Sequence, residues 1–334
     1  MRLTRRNFLL GGGAAAATLA CTGVALAQRP QAFRGATAID VEARPISHLS
    51  TTDPDRSRFG ALMFRSGVDL RSRVSAFGGF SGLWRSAEGQ DIIALADNAQ
   101  LLKARVETSD GRLSGLGSPV LSPLILSNGV SMRRSRYYDT ESFALAGNAA
   151  FVGVERNHAV IRFERTGTGS IIRGVPIPMP QAVKDLPSNG GLEALGVAPR
   201  RSPLNGALVG IAEGGRGFIL TGPRQGVFEV ALSGGYAVTD LAFLPEGDAV
   251  LLERRFSLFG GFGCRLRRIE ANALRPGARV DGDVLYESEA SHQMDNMEGL
   301  AIHREGRDAV LSLISDNNFS TLQRTLLLEF SLPA

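Results

Sequence analysis

Carboxylates recur in this chain at the edges of apolar runs. Glu141, Glu193, Asp240 and Glu298 each stand at the entrance to one such run, and Glu155, Glu213, Glu253 and Asp316 each close the run that follows. An earlier copy has Ser81 at the entrance and Asp97 at the exit. Hard oxygen donors, with no cysteine among them, suit calcium or magnesium rather than zinc. If they converge they also need positive charge, since two carboxylates about 7 Å apart repel by roughly 2 kcal/mol at an effective dielectric near 20. Bound cations, protonation or arginines can supply it. Activation of a water by a bound divalent cation is the chemistry within reach, with Glu141, Glu193, Asp240 and Glu298 as an inner catalytic ring and all nine acids as candidate ligands. Arg156 follows Glu155, and Arg254 and Arg255 follow Glu253; on the same face they could hold a phosphate bidentately. His158 and His292 lie beside these motifs and could shuttle protons. For any single acid a plainer role, capping backbone amides of a neighbouring strand, remains open.

The elements that must gather these residues follow from their spacing. From Ser81 to Glu141, Glu193, Asp240 and Glu298 the steps are 60, 52, 47 and 58 residues, enough for four strands and their loops. Strand pairs at such a period, with no helical pattern, predict a β-propeller. The first strand of each blade lines the channel and the second runs antiparallel to it, so entrance and exit acids share one face. Five copies are counted, and a sixth, degenerate one would have to lie within residues 36–75. The last copy ends in TLLLEFSL, one strand short, so an N-terminal strand from FGALMFRSGVDLRS is expected to complete it. The fold class is therefore all-β: a single propeller over residues 59–334, behind an entry arm at 28–58.

Residues 1–27 have the pattern of a twin-arginine export signal. Arg5-Arg6 precede an Ala/Gly-rich apolar run that ends in Ala25-Leu26-Ala27, a small-residue cleavage site. The protein is expected to be periplasmic or secreted, with no stable membrane insertion after cleavage. The chain holds 37 basic and 33 acidic residues; without Arg2, Arg5 and Arg6 of the leader the balance is 34 to 33. That near-neutrality gives no reason to expect nucleic acid as a partner. Only Cys264 remains beyond the leader, which excludes an internal disulfide and a cysteine metal cluster.

Two loops are long. Residues 109–138 carry Arg133, Arg134, Arg136, Tyr137 and Tyr138, and residues 254–263 bring Phe256, Leu258, Phe259 and Phe262 to the acidic face, where they could roof it or pack on each other. No nucleophile elbow, HExxH, phosphate loop or dinucleotide fingerprint is present.

The motifs GGFSGLW with ALADN, DTESFAL with VGVERN, NGGLEAL with GIAEGG, VTDLAFL with LLERRFS, and DNMEGLAI with LISDNN stand in this order. In that order the chain resembles the family called esterase-like activity of phytase, over roughly residues 60–332. The resemblance implies a propeller with a phosphoesterase centre, by analogy with calcium-dependent propeller phytases. It points to an exported hydrolase, a monomer acting on a small phosphoester with Ca²⁺ or Mg²⁺. The other readings are a non-catalytic propeller stabilised by calcium and a sugar-lactone hydrolase.

Overall fold

Alternating apolar residues cut by glycine turns give an almost purely β architecture. A computed structural model describes residues 35–167, 169–257 and 260–334; the segment expected to be an export leader and two loop residues, Leu258 and Phe259, lie outside the described residues. The arm contributes β1 (Thr37–Ala38) and β2 (Glu42–Ile46), followed by β3 (Arg58–Phe59) and β4 (Leu62–Arg71). Blade one is β5 (Phe80–Arg85), β6 (Asp91–Ala96), β7 (Gln100–Ser109) and β8 (Arg112–Pro123). Blade two is β9 (Thr140–Ala146), β10 (Ala149–Val154), β11 (Ala159–Arg165) and β12 (Ile171–Pro176). Blade three is β13 (Leu192–Val197), β14 (Leu208–Ala212), β15 (Arg216–Ile219) and β16 (Gly226–Val230). Blade four is β17 (Ala237–Phe243), β18 (Ala249–Ser257), β19 (Gly261–Ile269) and, beyond the short β20 (Arg279–Val280), β21 (Asp283–Glu287). The β20 strand pairs in parallel with β16 of blade three. Blade five is β22 (Met297–Glu305), β23 (Asp308–Ser315) and β24 (Thr325–Leu332).

Closure follows the expected route. The C-terminal β24 pairs with β4 on its outer side, and β2 then pairs with β4, so the last sheet runs β22, β23, β24, β4, β2. The arm also reaches the other flank of this junction, where β1 pairs with β8 of blade one. The inner strands β5, β9, β13, β17 and β22 touch in sequence, and β22 returns to β5. The ring therefore has five blades and no sixth.

The core lies between blades rather than at a single centre. Five buried clusters fill the five junctions; Leu252 and Leu266 meet Met297 and Leu300 between blades four and five, for example, and Phe143 meets Leu95 between blades one and two. Small residues let the inner strands approach. A Cβ on Gly82 would stand 2.8 Å from the Cβ of Phe143, and one on Gly299 would stand 3.0 Å from the Cβ of Leu83. Among the described residues no helix is long and apolar enough to cross a membrane.

The junction of blades five and one holds a buried ionic group. Arg85 donates to Glu329 at 2.7 Å and to Ser312 at 3.0 Å. His303 packs against Gly89 there, and burial, with Arg85 adding to it, holds its pKa down at about 4. Glu305 pulls it upward and Arg65 downward. An unfolded histidine titrates near 6.5, so the native state binds fewer protons across that interval. Stability from this site is complete above pH 6.5 and declines as pH falls toward 4. Urea midpoints at pH 7 and pH 4.5 should show a smaller loss for His303→Gln than for the unaltered chain; parallel losses would assign the acid sensitivity elsewhere.

Candidate functional site

Each inner strand carries one extra residue where its pairing with the second strand slips. In β5, Phe80 pairs with Ala96 and Gly82 with Leu95, which leaves Ser81 unmatched. The same slip singles out Glu141 in β9, Glu193 in β13, Thr239 in β17 and Glu298 in β22. A bulge of this kind re-aims one side chain, here at the same point of every blade. One residue beyond the second-strand position paired just before each bulge (Ala96, Val154, Ala212, Glu253 and Ser315) stand Asp97, Glu155, Glu213, Arg254 and Asp316.

Contacts between neighbouring inner strands set these bulges at one level of the ring. Ser142 Oγ donates to Leu192 O at 2.6 Å, and Thr239 Oγ1 to Met297 O at 3.3 Å. Second-strand ends also touch the next blade: Thr140 N donates to Asp97 O at 3.1 Å, and Val238 N to Glu213 O at 3.2 Å. Gly191 is required where blades two and three meet, since a Cβ there would lie 2.6 Å from the Cα of Glu155. Gly79 has a φ of +65°, which favours glycine, and a Cβ there would lie 2.8 Å from Asp97 Oδ1. Ten positions thus stand at the level of the bulges, and seven of them, rather than nine, are acidic.

Blade four departs from the expected pattern by one residue on both strands. Asp240 stands one position past the bulge, where its buried carboxylate accepts Leu241 N at 2.7 Å and Leu300 N at 2.6 Å. It links blade four to blade five instead of lining the mouth. Burial pushes its pKa well above the usual carboxylate range, against the pull of the two amides. Glu253 stands one position short of the mouth, with Arg265 Nε at 2.7 Å from Oε2 and Arg267 Nη2 at 2.6 Å from Oε1. Thr239 and Arg254 occupy the ring positions expected for these two acids. Arg254 Nη1 donates to Asn296 Oδ1 at 2.6 Å and lies 3.1 Å from Glu298 Oε1, which also accepts Asn296 Nδ2 at 2.7 Å.

Blade two concentrates the acids. Oxygens of Asp139, Glu141 and Glu155 all lie within 4.8 Å of one another, a trio that could hold a metal ion. Two donors on one calcium ion at about 2.4 Å are separated by at most about 4.8 Å, so the trio fits a hard divalent cation in size and donor type. Glu141 is buried, and Asp139 and Glu155 are half-buried. Asp139 was not among the acids singled out by the periodicity. Its signal was its place two residues before Glu141, where Asn296 stands relative to Glu298. Arg156 Nε lies 2.5 Å from Asp139 Oδ2, and that hydrogen bond raises the guanidinium's pKa.

The remaining candidates separate. Glu193 is buried at its bulge in blade three, and Glu213 is half-buried at the neighbouring exit. Asp316 is buried, accepts Asn318 N at 2.6 Å, and gives its own amide to Asn296 O at 2.8 Å. His158 closes the turn after Glu155 with a φ of +45°, donating its amide to Glu155 O at 3.1 Å. His292 lies away from the mouth, in the packing of the blade four to blade five junction. Its Nδ1 accepts Glu289 N at 3.1 Å and lies 2.9 Å from Tyr286 Oη, and Phe59 meets its ring edge-on at 5.0 Å. Burial lowers its pKa. Arg255 points to the opposite face from Arg254, over the Tyr236 ring at 4.8 Å and 3.8 Å from Glu287.

Solved structures similar to this chain include the β-propeller domain of Cps50 (Swd1) from Myceliophteria thermophila, at 10% identity over 86% of this chain and 98% of that one, with a TM-score of 0.40. A putative 6-phosphogluconolactonase from Bacteroides uniformis is similar at 11% identity over 85% of this chain and 95% of that one, with a TM-score of 0.39. No curated protein matches the chain. The family model described as phytase-like, esterase-like activity of phytase, matches residues 75–319, from the strand-entry glycines of blade one to the loop that follows Asp316. The chain belongs to that family.

Proposed function

We propose that this protein is an exported hydrolase that cleaves a small phosphoester at the propeller mouth with the help of calcium or magnesium. The single observation that carries the reading is the trio of Asp139, Glu141 and Glu155, three carboxylates held within 4.8 Å. Family membership fits a hydrolase. Asp139, Glu141 and Glu155 would hold the ion, whose chemistry when bound is to neutralise phosphate oxygens and acidify water. Glu193 and Glu213, on the adjacent blade, would take the proton from the attacking water. Arg254, 3.1 Å from Glu298 Oε1, would hold a phosphate oxygen. The remaining ring acids, Asp97, Glu298 and Asp316, tune the field there. Export through the twin-arginine route and a monomeric state complete the proposal, on the strength of the leader motif and of a ring closed within one chain.

The test is a panel of phosphomonoesters, phosphodiesters and lactones assayed in EDTA and again after calcium or magnesium is restored. Metal-restored turnover on a phosphoester is the expected result. Tight calcium binding without turnover would make the protein a binding propeller, and ring opening of lactones alone would make it a lactone hydrolase.

A further inference from the structure

The second hairpin of blade four is built differently from its counterparts. The β18 strand has nine residues, against six in β6 and β10, five in β14 and eight in β23. Its pairing with β19 runs without a slip from Ala249 opposite Ile269 to Ser257 opposite Gly261. Arg254 marks the level of the mouth, so the hairpin stands about 10 Å above it, three residues at about 3.3 Å each.

Strand alternation decides which side chains face which way. Leu252 packs toward Met297 and Leu300 of blade five, and Arg254 reaches Asn296 and Glu298 on that same side. Glu253 and Arg255 turn the other way, toward Arg265, Tyr236 and Glu287. Phe256 therefore shares the side of Arg254, and it meets Phe262 across the pair with ring centroids 5.0 Å apart. This is no core contact, because Phe256 is 39% exposed.

We propose that this hairpin recognises the organic half of the substrate, and that the substrate is a phosphoester of an aromatic or heteroaromatic group. The inference rests on the phosphoester reading above. An anionic phosphoryl group held by Arg254 leaves its ester substituent beside Phe256 and Phe262. Those rings offer no hydrogen bond to a hydroxyl, so a polyol would be desolvated against them without compensation, whereas a flat ring gains stacking and edge contacts.

The experiment is calorimetric titration with phenyl phosphate and with methyl phosphate, each with and without calcium chloride, on the unaltered protein, Phe256→Ala and Arg254→Gln. Phenyl phosphate is expected to bind about tenfold more tightly than methyl phosphate. Phe256→Ala should abolish most of that preference while leaving methyl phosphate affinity in place, and Arg254→Gln should weaken both ligands. Equal affinities in the unaltered protein, a preference that survives Phe256→Ala, or no binding of either phosphate would overturn the assignment. A calcium titration of the same samples separates the two readings. A phenyl preference with no calcium binding upholds the hairpin and removes the metal, while calcium binding with no phenyl preference removes the hairpin alone.

Discussion

Glu141→Gln lowers calcium affinity by at least tenfold to a hundredfold and abolishes turnover, while the blade that carries it stays folded. Groups that merely orient a metal ligand cost about that much when removed, and a ligand should cost no less. The substitution keeps the shape of the side chain and deletes one charge from three oxygens grouped within 4.8 Å. At an effective dielectric near 20, each pair at that separation repels by about 3 kcal/mol, of which the Arg156 guanidinium beside Asp139 offsets a part. Without calcium, then, the variant should melt at a higher temperature than the unaltered protein. With calcium the order should reverse. A role confined to hydrogen bonding would lower both melting temperatures together, so scans with calcium chloride and with EDTA distinguish the two. An unchanged calcium-dependent shift would remove Glu141 from the ligand set.

Substitutions elsewhere in the mouth should grade with their surroundings. Glu193→Gln is expected to weaken calcium binding less than Glu141→Gln, because Glu193 lies in the next blade and outside the trio. Glu298→Gln should act mainly on Arg254, whose guanidinium Glu298 and Asn296 hold together.

The blade count and the closing strand were legible because they follow from coarse periodicity. A fifty-residue step survives an error of one position. Register does not. Counting from the acid placed Asp240 and Glu253 in the ring, whereas counting from the large apolar residue two positions after the bulge would not have done so. That residue is Leu83, Phe143, Leu195, Leu241 and Leu300 in the five blades, and it aligns Thr239 with Glu141, Glu193 and Glu298. The core position is the better ruler because it is fixed by packing between blades, while a polar residue can move one place along a strand and find other partners. Asp139 stayed hidden for a related reason. It precedes its strand, where the alternating pattern has not begun, and only three-dimensional convergence brings its oxygens to those of Glu141 and Glu155. His292 looked like a mouth residue from its place next to a motif; the loop from Ser288 to Asn296 instead carries it back among Phe59 and Tyr286.

The displacement of Glu253 leads to the largest expected effect on stability. Its carboxylate is fully buried and lies between Arg265 and Arg267, which are themselves buried, and Arg267 also reaches Asp281 Oδ1 at 2.6 Å and Ala231 O at 3.0 Å. Glu253→Ala leaves two guanidiniums in a dry interior with most of their compensating charge gone. Breaking a buried pair from one side costs about 3 to 5 kcal/mol, a large share of the total stability of an ordinary domain. Urea unfolding followed by circular dichroism should register that loss as a lower midpoint. A loss below about 1 kcal/mol would mean that water enters the triad and screens it. The companion measurement is calcium affinity under conditions where the variant remains folded. It should match that of the unaltered protein, since Glu253 is held one residue short of the mouth and its charge is spent inside blade four. A drop in calcium affinity comparable to that of Glu141→Gln would instead return Glu253 to the ring.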